Sequence, residues 1–140
     1  MTEGFGAPIR LDRGAAATGK SSGGGVCLYI NQRWCKSVIV REKLCTADLE
    51  LLSVSLRPPY LPREFPQIFM TVVYIHPRAN EKNACDLIHQ VTQKLQAISP
   101  DAPHIILGDM NHCTLKTTLR DFHQYVTCPT RHNKTIDFWE

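Results

Sequence analysis

An acid and an amide stand two residues apart in Gly108-Asp109-Met110-Asn111, directly after the apolar run His104-Ile105-Ile106-Leu107. A strand that stops at such a motif sets oxygen ligands at its C-terminal end, where ligands and chemistry collect in α/β folds. If the chain stays extended, Asp109 and Asn111 project to one side and Met110 to the other, into packing. A carboxylate and a carboxamide on one face suit a hydrated Mg²⁺ and a phosphate oxygen. Gly, Asp and Asn also favour turns for local reasons, so the same text fits a plain turn.

Other residues could join that pair. Tyr74 comes near the end of the apolar segment Gln67–Ile75, just before His76-Pro77, so its hydroxyl could emerge at a neighbouring strand end. Asp137 sits in the apolar-polar alternation Thr135-Ile136-Asp137-Phe138. Arg10, Arg13 and Lys20 could contact phosphates, although scattered cations are commonly just solvated surface. Residues 14–21, GAAATGKS, fit the phosphate-loop pattern letter for letter. That chemistry needs a buried strand before the loop and a helix after it. Here charged text precedes and Ser22-Gly23-Gly24-Gly25 follows, so the match is accidental. A zinc site drawn from His112, Cys113, Cys128 and His132 has one tolerable spacing and no second anchoring pair.

The elements that must position these groups are read from periodicity. Residues 1–25, rich in Gly, Ala and Ser, read as a flexible lead-in. Val26–Ile30 reads as a strand that turns at Asn31-Gln32 into a second strand, Ser37–Arg41. Leu49–Arg57 is a third strand. The prolines at 58, 59 and 62 force a loop, and Gln67–Ile75 has the near-continuous apolar text of a strand buried on both faces. Asn80 is a natural N-cap for a helix over about 81–98, whose Ala84, Leu87, Ile88, Val91, Leu95 and Ile98 recur at helical spacing. Ser99-Pro100 stops it before the strand at 104–107. Strand, helix and strand in that order predict a right-handed crossover between neighbouring parallel strands. A short helix near 114–121 and strands near 124–127 and 134–138 complete the pattern.

The totals bound these readings. A chain of 140 residues is a single domain with room for a real core. A net charge of +3 permits nucleic-acid binding without demanding it. No apolar run has the length of a membrane span, and the N-terminal text lacks the features of a signal peptide, so the expected location is intracellular. In that setting the six cysteines are expected as reduced thiols, and Asn133-Lys134-Thr135 is not read as a glycosylation site.

The order of the fragments carries a resemblance. Gly23-Gly24-Gly25-Val26 opening a strand, then Val72-Val73-Tyr74-Ile75-His76-Pro77, then Gly108-Asp109-Met110-Asn111, then Thr135-Ile136-Asp137 resembles the endonuclease/exonuclease/phosphatase superfamily. The nearest likeness is to the endonuclease domain of fish-type non-LTR retrotransposons. Arg33-Trp34-Cys35, Asp48–Leu52, Tyr60–Phe65 and Ser99–Ala102-Pro103 look like text of that group. The resemblance implies an α/β fold, a two-sheet sandwich with outer helices like that of deoxyribonuclease I, truncated, with 26–140 as a partial domain. It implies Mg²⁺-dependent hydrolysis of DNA phosphodiesters, as in target-site nicking. Asp109 would orient or deprotonate the attacking water, Asn111 would steady it or the phosphate, and Tyr74 would contact the scissile phosphate. Asp137 matches the acid that orients a catalytic histidine, and Arg10 and Arg13 fall in a DNA-facing loop. The metal-binding glutamate and that histidine have no counterpart here, so no metal ligand is assigned. The expectation is weak or absent nuclease activity for this chain alone, with a non-catalytic DNA- or protein-binding remnant as the alternative.

Overall fold

The computed structural model describes residues 9–12, 25–59, 61–111, 122 and 137–139. Among them run β1 Ile9–Asp12, β2 Gly25–Leu28, β3 Val38–Cys45, β4 Leu49–Leu56, β5 Ile68–Ile75, α1 Glu81–Ile98, β6 His104–Asp109 and β7 Asp137–Trp139. The result is a mixed α/β domain. β3 to β7 form one sheet in the order β3-β4-β5-β6-β7, and β1 pairs with β2 in a separate antiparallel ribbon. Within the sheet β5 and β6 are parallel, and every other neighbouring pair is antiparallel.

The most apolar text takes the middle of the sheet because it must be covered on both faces. β4 is buried at every position, and β5 alternates between buried and half-buried. Leu49 and Leu51 of β4 join Phe69, Val73 and Ile75 of β5 and Ile106 of β6 beneath Ala84, Ile88, Val91 and Leu95 of α1. On the opposite face Val54 and Leu56 pack with Cys35, Leu28, Ile30, Ile68 and Met70. The helix thus covers one face and the segment around β2 part of the other. Each fully buried Leu, Ile or Val contributes about 1.5–3 kcal/mol relative to exposure.

The helix matches the expected span. Asn80 caps it, its side chain accepting the Asn83 N–H at 3.1 Å. Asp48 Oδ1 accepts the Asn80 N–H at 3.0 Å, tying the helix start to the β3–β4 turn. Ile98, expected on the buried stripe, is 48% exposed; the stripe passes from Leu95 to the buried cap residue Ser99 instead. The expected parallel neighbours are β5 and β6.

Two expectations need correction. The expected hairpin between the strand at 26–30 and that at 37–41 does not form. β2 pairs with β1, whereas β3 pairs with β4. The Asn31 carbonyl accepts the N–H groups of both Trp34 and Cys35, closing a local turn that carries the chain from ribbon to sheet. Ile9–Asp12 is a strand, although the composition of residues 1–25 suggested none. Its Ile-x-Leu alternation is too short to stand out before a ladder partner is known. The rest of that lead-in and the elements expected at 114–121 and 124–127 lie outside the described residues. The last strand spans 137–139 rather than the expected 134–138, of which 134–136 are also outside. Cys27, Cys35 and Cys45 are free thiols; Cys113 and Cys128 lie outside the described residues. Among the described residues, no helix is long and apolar enough to cross a membrane.

A polar chain runs through this core. Ser53 Oγ lies 2.8 Å from Thr71 Oγ1, which lies 2.7 Å from His104 Nε2. The His104 ring meets Phe69 and Phe122 edge-on. Its Nδ1 is buried and has no hydrogen-bond partner among the described residues. An unpaired N–H costs more than an unpaired lone pair, which favours the tautomer that carries its proton on Nε2. Burial lowers the His104 pKa from 6.5 to about 4. The unfolded chain therefore takes up this proton near pH 6.5 and the folded chain only near pH 4. His104 leaves stability intact above pH 6.5 and subtracts from it as pH falls towards 4, by about 3 kcal/mol at the end. Urea unfolding across that window should show the decline, and His104→Gln should flatten it relative to the parent chain.

Candidate functional site

The C-terminal ends of β5 and β6 lie side by side with the start of β4, so one rung of the sheet gathers residues from three strands. Glu50 stands opposite Tyr74, and Tyr74 opposite Asp109. Residues opposite one another share a sheet face, so these three side chains leave the sheet on the side away from α1. Strands are spaced by about 4.8 Å, which puts the Glu50 and Asp109 backbones about 10 Å apart with Tyr74 between. On the next strand Asp137 pairs with Gly108, one residue from Asp109.

The β6 strand ends at Asp109, and the chain then turns. Asp109 Oδ1 accepts the Asn111 N–H at 3.0 Å, an Asx turn that fixes the carboxylate. Asn111 has φ of 50°, a left-handed conformation that Asn tolerates better than most residues. Its Nδ2 donates to the Ile75 carbonyl at the end of β5. Met110 is fully buried in the helix-side core, as expected. The expectation that Asp109 and Asn111 project together from an extended strand is therefore corrected. The backbone bends at the motif, and a hydrogen bond across the strand ends brings Asn111 back beside the acid. The turn and the candidate site are one structure here.

Gly108 makes this possible. Its φ is +149°, and a Cβ built on it would fall 1.8 Å from the Val73 carbonyl oxygen. No side chain fits there, so β6 can approach β5 this closely only with glycine at that rung.

Beneath Tyr74 lies a group that spacing did not single out. Glu50 is fully buried, with Oε1 at 4.0 Å from His76 Nε2. The His76 ring in turn meets the Tyr74 ring edge-on, with centroids 5.2 Å apart. The His76 N–H donates to the Asp48 carbonyl at 3.0 Å, which holds the segment after β5 against the start of β4. Glu50, His76 and Tyr74 thus form a packed series that supports the phenol. The legible signal was a carboxylate inside Leu49-Glu50-Leu51-Leu52, a strand otherwise apolar enough to be buried on both faces.

Of the residues expected at a site, Tyr74, Asp109 and Asn111 come together, and Asp137 is in register next to them. Arg10 lies on β1 opposite Cys27, in the ribbon rather than in the sheet. Arg13 is outside the described residues, as are residues 14–21 and the four zinc candidates. Among the described residues no three metal-ligating side chains cluster. Compared with known proteins, the sequence matches no family model and no curated relative.

The closeness at Gly108 has a measurable consequence. Gly108→Ala forces β6 away from Val73 and should cost about 3 kcal/mol or more, visible as a lower urea midpoint. Met110→Leu, a volume-conserving exchange in the adjacent core, should cost less than about 1.5 kcal/mol.

Proposed function

We propose that this chain carries part of the active site of a Mg²⁺-dependent DNA endonuclease of the endonuclease/exonuclease/phosphatase type. The observation behind this reading is the rung that sets Tyr74 against Asp109, with Asn111 hydrogen-bonded to the strand end beside them. The ribbon of β1 and β2, whose Leu28 packs on the sheet face away from the helix, is in keeping with the second layer of a sandwich.

In this reading the Asp109 carboxylate accepts the proton of the attacking water or orients it, held in place by the Asn111 N–H. Asn111 steadies the water or the phosphate through its carboxamide. The Tyr74 hydroxyl contacts the scissile phosphate, its ring braced by His76. Asp137, in register beside this pair, orients a histidine supplied from elsewhere, and Arg10 and Arg13 face the DNA backbone. The donor set fits a magnesium ion, which takes hard oxygen ligands and is commonly held by one or two carboxylates with waters. Asp109 has a second carboxylate oxygen that the Asx turn does not use, and Asn111 has its carboxamide oxygen. When bound, such an ion supplies neutralisation of charge on the phosphoryl oxygens.

The alternative is a non-catalytic remnant that binds DNA or another protein through the same face. Nicking of supercoiled plasmid at high protein concentration separates the two. The nuclease reading expects slow cleavage that EDTA abolishes and that Asp109→Asn lowers by about 10²-fold or more. Tyr74→Phe should weaken it with the fold intact. Duplex binding that ignores EDTA, with no cleavage, would establish the second reading. Cleavage unaffected by Asp109→Asn would refute the first.

A further inference from the structure

The end of the sheet remote from Tyr74 and Asp109 holds a different kind of site. Gln32, Arg33, Lys36, Ser37, Arg57 and Pro59 line a cavity of about 680 Å³. Arg57 follows the last residue of β4, whereas Glu50 lies near its first, so the strand separates this cavity from the rung of Tyr74 and Asp109 by about 23 Å.

Three of the six lining residues are cations and none is an acid. Arg33, Lys36 and Arg57 are exposed, and among the described residues none of the three forms an ion pair. By contrast, exposed Lys94 pairs with Glu42 at 2.8 Å. The frame around the cations is fixed. Asn31 accepts the N–H groups of Trp34 and Cys35 on its carbonyl and that of Arg33 on its side chain. The buried Cys35 thiol donates to the Ser37 carbonyl at 3.3 Å, and the Arg57 N–H donates to the same carbonyl at 3.2 Å. Turn and loop are thereby joined before any ligand arrives, which limits the ordering cost of binding. In the same turn Trp34, between Arg33 and Lys36, is 44% exposed. An indole left in water costs free energy unless something covers it.

We propose that this end of the sheet binds single-stranded nucleic acid, with Arg33, Lys36 and Arg57 on its phosphates and a base stacked on Trp34. Guanidinium forks match phosphate oxygens bidentately, and lysine adds a point charge. Cations combined with an exposed aromatic ring are the usual elements of a single-strand platform. A duplex keeps its bases stacked inside and offers the indole no face. An acidic peptide satisfies the cations but gives the indole no base to stack on.

The test uses the full chain carrying Trp139→Phe, which leaves Trp34 as its single tryptophan, and Asp109→Asn, with EDTA present throughout. Titration with a short oligodeoxythymidylate should quench the Trp34 emission. The affinity should fall with salt at a log–log slope near about −2, from three phosphate contacts on a single strand. Replacing Arg33, Lys36 and Arg57 together by alanine should weaken binding at least about tenfold and flatten that slope. All three are surface positions, and an unchanged urea midpoint would show the fold intact. With a labelled oligonucleotide, Trp34→Ala should weaken binding more than Trp34→Phe. Absence of quenching, indifference to the triple substitution, tighter binding of a duplex, or displacement of the oligonucleotide by polyglutamate as effective as by unlabelled oligonucleotide would each overturn the proposal. The titration involves neither Mg²⁺ nor Asp109, so its outcome is independent of plasmid nicking.

Discussion

The arrangement at the strand ends depends on the backbone of β6 passing Val73 without a side chain between them. At Gly108 there is no room for even a methyl group, and the positive φ aims the chain so that the next residue pairs with Tyr74. Register in a sheet has little tolerance, because a slip of one residue sends every side chain to the other face. A slip here would turn the Asp109 carboxylate towards the apolar cluster under α1 and place Met110 on the opposite face. Burial of an unpaired carboxylate is costly enough to exclude that arrangement. Glycine at 108 and the apolar fit of Met110 thus enforce the same register from opposite sides.

The same economy of space explains the polar groups within the sheet. β4 is covered on both faces, so any polar residue on it must find a partner in the interior. Ser53 does so through Thr71 and His104, whose imidazole burial keeps neutral. Ser55 accepts from Arg41 Nε at 3.1 Å, where a bulge in β3 takes Arg41 out of the ladder. Glu50 sits against His76, near the surface end of the strand. Asp48 then connects that end to the helix, accepting from Asn80 at the cap. The helix, the β3–β4 turn and the segment after β5 are therefore fastened around the same rung.

Much of this was legible where one local rule suffices. The capped amphipathic helix, the two long apolar strands and the parallel strand after the helix follow from periodicity and length, and they appear where expected. Pairing across distance was not legible. Val26–Ile30 and Ser37–Arg41 are neighbours in sequence with a turn between them, yet each pairs elsewhere, because the partner Ile9–Asp12 carries too little pattern to announce itself. Asp109, Asn111 and Tyr74 could be named as candidates from residue type and position. The conformation of Asn111 could not, since extended and turned forms of Gly-Asp-x-Asn differ only in whether a carbonyl such as that of Ile75 lies within reach. Glu50 escaped for a similar reason, being a carboxylate whose burial depends on neighbours that only the sheet supplies.

The two ends of the sheet differ in the sign of their charge, which constrains how one polyanion could meet each of them. At one end the half-buried Asp109 closes β6, so a phosphate approaching there meets a carboxylate first. Two unit charges of like sign 4 Å apart repel by about 4 kcal/mol at an effective dielectric constant of 20, and a divalent cation between them reverses the sign of the interaction. At the other end Arg33, Lys36 and Arg57 meet the phosphate directly, so attraction there requires no added ion and weakens with monovalent salt. On the two proposals, divalent cations at low monovalent salt act oppositely at the two ends: they enable contact at the carboxylate rung and compete for phosphates at the cationic cavity.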